Sequence, residues 1–245
     1  MSDRRTPSGV ARLAVALGAV SLLGLVAAGP LYHQGRLGLA AVFALLKWAV
    51  YGAIVTLVLA VIGVSIAARR RYGMSTAVTA LALALAGLGP LGALAWKATH
   101  VPAIHDITTD TDHPPPFVAV LPLRAGAPNP VAYGGPEVAA KQQRAYADIV
   151  PLTLNVPPGS AFDRALAAAR TMGWDLVASD PAAGRVEATD TTFWFGFKDD
   201  VVIRVARAPN GSRVDVRSLS RVGVGDIGAN AARIRAYLKT LNAAP

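Results

Sequence analysis

The chain has 245 residues and no cysteine, and 53% of its residues are hydrophobic while only 16% are charged. This composition excludes an ordinary soluble protein, a disulfide scaffold and thiol chemistry, and it indicates a membrane part joined to one domain. Of the net charge of +9, residues 1–100 carry +8 and the other 145 residues carry +1. Because this excess flanks apolar segments, it favours contact with lipid headgroups and argues against a nucleic-acid interface.

The amino-terminal part, residues 1–98, contains three apolar segments without an internal charge, at about 13–29, 49–68 and 74–96. Each is close to the roughly 20 residues that a membrane-spanning helix needs, so we predict a membrane anchor of three transmembrane helices. Residues 37–48, which contain Lys47, are expected to lie at the membrane interface. A cleaved signal peptide is an alternative for the first segment, because three arginines precede it.

Lys and Arg are distributed unevenly between the two sides of these segments. Arg4, Arg5, Arg12 and the run 69–71 fall on one side, whereas Arg36, Lys47 and Lys97 fall on the other, six against three. Loops rich in Lys and Arg remain in the cytoplasm. The sequence therefore predicts a multi-pass membrane protein with a cytoplasmic amino terminus and an extracytoplasmic carboxy-terminal domain.

Residues 99–148 are rich in Pro and Asp, with three consecutive prolines at 114–116, and are predicted to be an extended linker on the surface of the domain. Metal-ligating residue types occur in it at His105, Asp106, Asp110 and Asp112. Their spacing matches no metal-binding motif, so a solvated acidic linker is the preferred interpretation and a metal site the weaker one.

Residues 149–245 show the alternation of strands and the three-to-four spacing of helices. The predicted order is β-α-β-β-β-β-α, an α+β domain whose antiparallel sheet is covered by helices on one face. Strands are expected at 149–156, 174–179, 185–195, 200–207 and 213–220, with helices ending near Gly173 and beginning at Ile227 after an Asp226 cap.

Several uncommon strings, among them IHDITTDTD, MGWDLVA, TTFWFGFKDDVVIRV and DVRSLSRVGVGDIGANAARIR, occur in this part of the chain. Together they resemble the bacterial family called domain of unknown function 1499, over about residues 105–241. The resemblance implies the fold and a membrane context, and it implies no particular chemistry. With the loop bias, a bacterial family implies the bacterial cytoplasmic (inner) membrane and a periplasm-facing domain.

Charged residues at alternate positions form the first candidate site. With Asn210 and Gly211 as a two-residue turn, Arg204 is expected to face Arg217, and Asp200 to face Arg221. Two opposed arginines need carboxylates or an anion between them. We expect Arg204 and Arg217 to be held by Glu187 and Asp215 as a structural network, with an acidic ligand as the alternative.

A second candidate is the glycine-spaced approach to the last helix, which could bind an anion on its backbone amides, although Asp226 itself competes for them. Asp199 and Asp200 could act as acid and base, but neighbours on a strand point to opposite faces. Trp194, in an aromatic run at 193–197, is a candidate contact for lipid, ligand or linker. The candidate ligand-binding residues are Trp194, Asp199, Asp200, Arg204, Arg217, Ser218, Ser220, Arg221, Asp226 and Asn230.

These observations favour a membrane-anchored protein of the cell envelope that acts as a non-catalytic binding or scaffolding module. No catalytic residue and no cofactor are predicted, and the expected partners are the lipid bilayer and an anionic lipid, a glycan or an envelope protein. The alternative is an envelope hydrolase that uses the Asp pair with the histidines of the linker.

Overall fold

The computed structural model describes residues 7–243, and the chain divides into two compact units. The first unit consists of the residues up to 97 together with residues 193–196. The second unit consists of residues 98–192 and the residues from 197 onward.

Three long apolar helices make up most of the first unit: α1 (Gly9–His33), α2 (Leu39–Arg70) and α3 (Met74–His100). All three are long and apolar enough to cross a membrane. The 32 residues of α2 form one uninterrupted helix, so the segment expected at the interface is continuous with the second predicted span. At 1.5 Å per residue this helix is about 48 Å long, against a hydrocarbon core of about 30 Å.

Small side chains hold these helices together. A Cβ added to Gly52 would lie 2.2 Å from the Ser21 hydroxyl, and one added to Gly18 would lie 2.8 Å from the Thr56 methyl group. Between apolar helices in lipid, close backbone approach of this kind supplies the van der Waals contact that drives association. The buried residues of α1–α3 are accordingly mostly alanine and glycine, with Ser21, Val42 and Thr56.

The second unit is built on an antiparallel sheet of six strands in the order β1-β6-β5-β4-β3, with β2 paired to β6 beside β1. The strands are β1 (Asp106–Thr108), β2 (Leu152–Leu154), β3 (Asp175–Asp180), β4 (Arg185–Thr191), β5 (Lys198–Ala208) and β6 (Gly211–Ser220). Its helices are α4 (Gly135–Ala145), α5 (Pro158–Thr171) and α6 (Ala229–Ala243), with a 3-10 turn at Pro122–Arg124. The α+β class and the order from β2 to α6 are as predicted.

The main core lies between one face of the sheet and helices α5 and α6. Strand alternation directs Val201, Ile203 and Val205 of β5 to this face. From α6, Ile234 and Tyr237 are completely buried, and the Tyr237 ring stacks on Trp174 at 5.2 Å between ring centroids. Buried residues recur along α6 at the three-to-four spacing of a helix that packs one of its sides against a sheet.

The opposite face of the sheet is covered by residues 110–131, which we call the cover segment. Its Phe117 and Val120 form a second core cluster with Val202 of β5 and Leu219 of β6. The proline-rich stretch therefore forms a layer of the domain on this face of the sheet. It is followed by helix α4 and preceded by strand β1, neither of which the sequence predicted, so regular structure does occur within 99–148.

Two local predictions were wrong. The β5–β6 register pairs Ala208 with Gly211, so the turn residues are Pro209 and Asn210. Pro209 suits the first central position of a turn because its φ is fixed. Arg204 consequently lies opposite Asp215, two positions from the expected partner, although each side chain keeps its predicted face. Strand β4 also ends at Thr191, so the aromatic residues 193–197 belong to a turn and do not alternate along a strand.

Candidate functional site

The charged row lies on the face of the sheet that the cover segment occupies. Glu187 of β4 is completely buried there, and its two carboxylate oxygens accept hydrogen bonds of 2.9–3.1 Å from the backbone N–H groups of Val118, Ala119 and Val120. The Arg185 guanidinium completes the arrangement at 3.0 Å. Because its partners are backbone amides and Arg185, Glu187 fixes the cover segment to the sheet. These bonds do not involve Arg204 or Arg217, although the sequence predicted that Glu187 would hold them.

Arg217 is held by a residue that the sequence placed in the linker. Its guanidinium makes two parallel hydrogen bonds to Asp106, at 2.9 and 2.7 Å, and donates to the carbonyl oxygens of Pro115 and Val131. The Phe117 ring lies 5.0 Å from the guanidinium carbon, within cation–π range. Arg217 is only 3% exposed, so its binding capacity is used inside the domain.

Arg204 pairs with Asp215, as predicted, at 2.8 Å. It also bonds Asp110 of the cover segment, and Arg213 bonds both of these carboxylates. Burial alone would raise the pKa of Asp110, but the His113 amide and the two arginines bring it below its ordinary value. The two aspartates and two arginines form a neutral cluster on the covered face of β5 and β6.

Asp200 receives two arginines. Arg124 of the cover segment lies at 2.6 Å and Arg221 at 2.8 Å from the carboxylate, and the Thr189 hydroxyl donates a third contact at 2.7 Å. Burial would raise the pKa of Asp200, but the hydrogen bonds from Arg221, Thr189 and Arg124 hold it below the ordinary value. One carboxylate shared by two guanidiniums leaves one positive charge in excess.

A separate polar cluster lies on the opposite face, beneath α6. Arg233 of α6 donates to Asp199 at 2.6 Å and to Asp190 at 2.6 Å. Ser218 and Ser220 of β6 bond the side chain of Asn230 at 2.6 and 2.9 Å. Asp199 and Asp200 therefore serve two different clusters on two faces, and the sheet separates them.

The glycine-spaced approach to α6 has its amides occupied. Asp226 accepts from the backbone N–H groups of Gly228 at 2.8 Å and Asn230 at 2.7 Å, which makes it the cap of the helix. Burial raises the pKa of Asp226, and these two hydrogen bonds offset only part of the rise. The helix begins at Ala229, two residues later than expected, because Ile227 has a left-handed φ of 52°.

The residues of the weaker metal alternative do not converge. His105 Nδ1 contacts the Val224 carbonyl oxygen, whereas Asp106 and Asp110 are in the ion pairs described above. Across residues 7–243, no group of three or more His, Asp or Glu side chains is placed to hold a metal ion.

An open groove of about 540 Å³ remains beside the Asp200 cluster. Its apolar wall comes from Leu123, Leu176 and Val177, and its polar wall includes Lys198 and Arg221. Lys198 is exposed at the start of β5. Of the residues predicted to bind a ligand, Arg221 lines this groove, and Trp194 lies in the turn that precedes β5.

Five basic residues of these clusters were missed by the sequence reasoning: Arg124, Arg185, Lys198, Arg213 and Arg233. Alternation with Glu187 and Asp215 could have indicated Arg185 and Arg213. The spacing of Arg233 beside Ile234 and Tyr237 could have placed it toward the sheet. No periodic pattern marks Arg124, since it lies in a segment without one.

Fold and site together define a class: an α+β domain with an internally neutralised charged interior, preceded in the chain by three helices able to cross a membrane. The family described as "Protein of unknown function (DUF1499)" matches residues 106–241, which is more than half of the chain. The protein belongs to this family. No curated protein and no solved structure matches it.

Proposed function

We propose that the protein is a membrane-anchored, non-catalytic binding or scaffolding module on the extracytoplasmic side of a bacterial cytoplasmic membrane. One observation carries the proposal. The carboxylates that could supply chemistry are held by arginines or backbone amides inside the domain. They are Asp106, Asp110, Glu187, Asp199, Asp200 and Asp215.

The hydrolase alternative lacks support from this geometry. A general acid or base works best with a pKa near the operating pH. The pKa of Asp200 is lowered, so this group is a carboxylate with little basicity at neutral pH. Asp199 lies on the other face of the sheet, bonded to Arg233, and His105 contacts a backbone carbonyl. The Asp pair and the histidine therefore do not form one concave site.

The groove beside Asp200 is the surface best suited to a partner. Lys198 and Arg221 outnumber the one acidic residue of its lining, Asp175, while Leu123 and Leu176 are 52% and 37% exposed along its wall. Basic and apolar groups in one groove fit a small anionic amphiphile, and the candidate partners remain an anionic lipid, a glycan or an envelope protein. The side of the membrane rests on the six-to-three bias of Lys and Arg in the loops.

Two measurements test the proposal. Alkaline phosphatase fused after Pro245 should be active, and a fluorescent protein at the same place should be dark; the reverse pattern contradicts the extracytoplasmic placement.

Native mass spectrometry of the full chain released from micelles should show a bound anionic species that is lost in Lys198→Glu. Lys239→Glu, an exposed lysine of α6, is the matched control and should retain it. Equal retention by both variants contradicts binding in the groove.

A further inference from the structure

The chain enters the sheet at a defined end. After α3 it passes through residues 101–105 into β1, whose first residue Asp106 pairs with Leu219 near the end of β6. The backbone N–H of Ser220 donates to the His105 carbonyl at 3.0 Å. The antiparallel register places Ser220 beside Asp199, near the start of β5. The entry of the chain, the β4–β5 turn and the loop after β6 therefore share one end of the sheet, which we call the entry end.

Apolar side chains are exposed at this end. Phe193 is 91% exposed in the β4–β5 turn and Val224 is 82% exposed in the loop after β6. Trp194 packs against Gly29 of α1 and remains 40% exposed. The turn is closed at its base, since the Thr192 N–H donates to the Phe197 carbonyl at 2.8 Å. At the other end of β5, by contrast, the turn consists of Pro209 and Asn210. Large exposed apolar groups on closed turns indicate a contact surface.

Positive charge follows the β4–β5 turn in the chain. Lys198 pairs with Thr191 at the base of the turn and is exposed. On the same face, Arg124 and Arg221 share Asp200 and leave one positive charge in excess. Aromatic residues next to basic ones are typical of the region where a protein meets lipid headgroups, because the rings partition into the interface and the cations attract anionic lipids.

The covalent connection keeps this end near a membrane. Helix α3 ends at His100, and Ile104 already belongs to the core of the domain. Four residues span at most about 14 Å of extended chain. The entry end is therefore held within that distance of the end of a helix that is long and apolar enough to cross a bilayer. A lipid surface is the one partner that this connection keeps permanently at hand.

We propose that the entry end of the sheet rests on the lipid headgroup region of the membrane, with Phe193 inserted among the lipids, Trp194 against the end of α1 and Lys198 against anionic headgroups. This inference rests on the membrane anchoring in the proposed function and does not depend on which side of the membrane the domain occupies. It assigns the aromatic turn a role as an interfacial anchor and gives the domain a fixed orientation on the bilayer.

The absence of cysteine allows a clean test. Single variants Phe193→Cys and Val224→Cys of the full chain are spin-labelled and placed in nanodiscs of equal parts phosphatidylcholine and phosphatidylglycerol. Asn210→Cys, in the exposed turn at the opposite end of β5, is the matched control. Labels at 193 and 224 should collide more often with oxygen, which partitions into lipid, than with a water-soluble nickel complex. The label at 210 should show the reverse.

A label at 193 that is as accessible to the nickel complex as the label at 210 overturns the proposal. Protection of 193 from both reagents also overturns it, because the turn would then be covered by protein. Adding Lys198→Glu should reduce the immersion of the label at 193 in discs with phosphatidylglycerol, whereas Lys239→Glu should leave it unchanged. Equal behaviour of these two variants contradicts the headgroup contact. An immersed label combined with an inactive phosphatase fusion contradicts the extracytoplasmic placement alone.

Discussion

The buried carboxylates on the covered face of the sheet are all neutralised by arginines, in arrangements that differ from one carboxylate to the next. Glu187 has backbone amides and one arginine, Asp106 has a parallel pair of bonds from Arg217, and Asp200 has two arginines. A buried ion needs its hydrogen-bonding capacity filled because its desolvation is costly. These side chains therefore stabilise one arrangement of the cover segment on the sheet.

Replacing Glu187 tests this at the level of one residue. Glu187→Gln replaces a carboxylate by a neutral side-chain amide, so Arg185 loses its charged partner. The new NH₂ group also faces the backbone N–H groups of residues 118–120, which are donors themselves. We expect a loss of about 3 to 5 kcal/mol of unfolding free energy, as for other buried pairs that lose one partner. Urea unfolding of the detergent-solubilised chain, followed by near-ultraviolet circular dichroism, measures it.

The matched control is Glu137→Gln on helix α4, whose side chain is 79% exposed and pairs with Lys141 one turn away. An exposed pair of this kind contributes little, so the control should unfold like the unaltered protein. A Glu187→Gln variant that also unfolds like the unaltered protein would show that the amide contacts of Glu187 do not stabilise the fold.

The lowered pKa of Asp200 gives stability a dependence on pH. Its folded-state pKa lies below the unfolded value of about 3.9, so its contribution is full above that pH and is lost as the pH falls through the folded value. Asp200→Asn should therefore be less stable than the unaltered protein at neutral pH. The difference should shrink below about pH 4 as the carboxylate becomes protonated in the unaltered chain. Thermal melts of both proteins across this range provide the measurement, and a constant difference would contradict the assignment.

Strand alternation alone predicted which face each charged residue occupies, and it did so correctly for Asp200, Arg204, Asp215 and Arg217. It anticipated the Arg204–Asp215 pair but could not fix the register, because a shift of two positions between β5 and β6 keeps every side chain on its face. The Asp106 partner of Arg217 lies 111 positions away in a stretch without periodicity. Such contacts depend on tertiary packing that no local pattern encodes.

At the scale of elements, the cover segment makes the sheet two-sided. A sheet with helices on one face leaves its other face to water, yet Val202 and Leu219 on that face are completely buried. Phe117 and Val120 bury them from a segment whose prolines prevent a regular strand or helix. The sequence predicted that this segment lies on the domain surface, but its composition concealed the apolar contacts that hold it there.

Phe117→Ala tests whether the cover segment depends on this contact. Phe117 is 5% exposed and lies against Arg217, so its truncation should cost about 3 to 5 kcal/mol and loosen the segment. Arg124 is also 5% exposed in the intact domain, and trypsin should cleave after it faster in the variant. Cleavage after the exposed Lys141 of α4 is the internal reference and should change less. Equal acceleration at both sites would instead indicate global unfolding.

At the scale of the whole molecule, charge is divided between two uses. The domain pairs its buried carboxylates with arginines, whereas the basic residues near the apolar helices have no comparable set of acids, since residues 1–100 contain Asp3 as their one acidic residue. The run Arg69, Arg70 and Arg71 at the end of α2 supplies half of the six Lys and Arg residues on the predicted cytoplasmic side. It is therefore the largest single determinant of the predicted orientation.

Replacing the three arginines 69–71 by asparagine should disturb the topology. The change leaves three Lys and Arg residues on each side of the predicted spans, and the bias that orients a chain is counted over such short loops. Alkaline phosphatase and a fluorescent protein, each fused after Pro245, should then both report partial activity, because the chains insert in two orientations. Lys141→Asn with Arg144→Asn, in helix α4 of the domain, removes charge outside the short loops and should leave the phosphatase fully active. Unchanged phosphatase activity in the triple variant would show that the apolar segments, and not the arginine run, orient the protein.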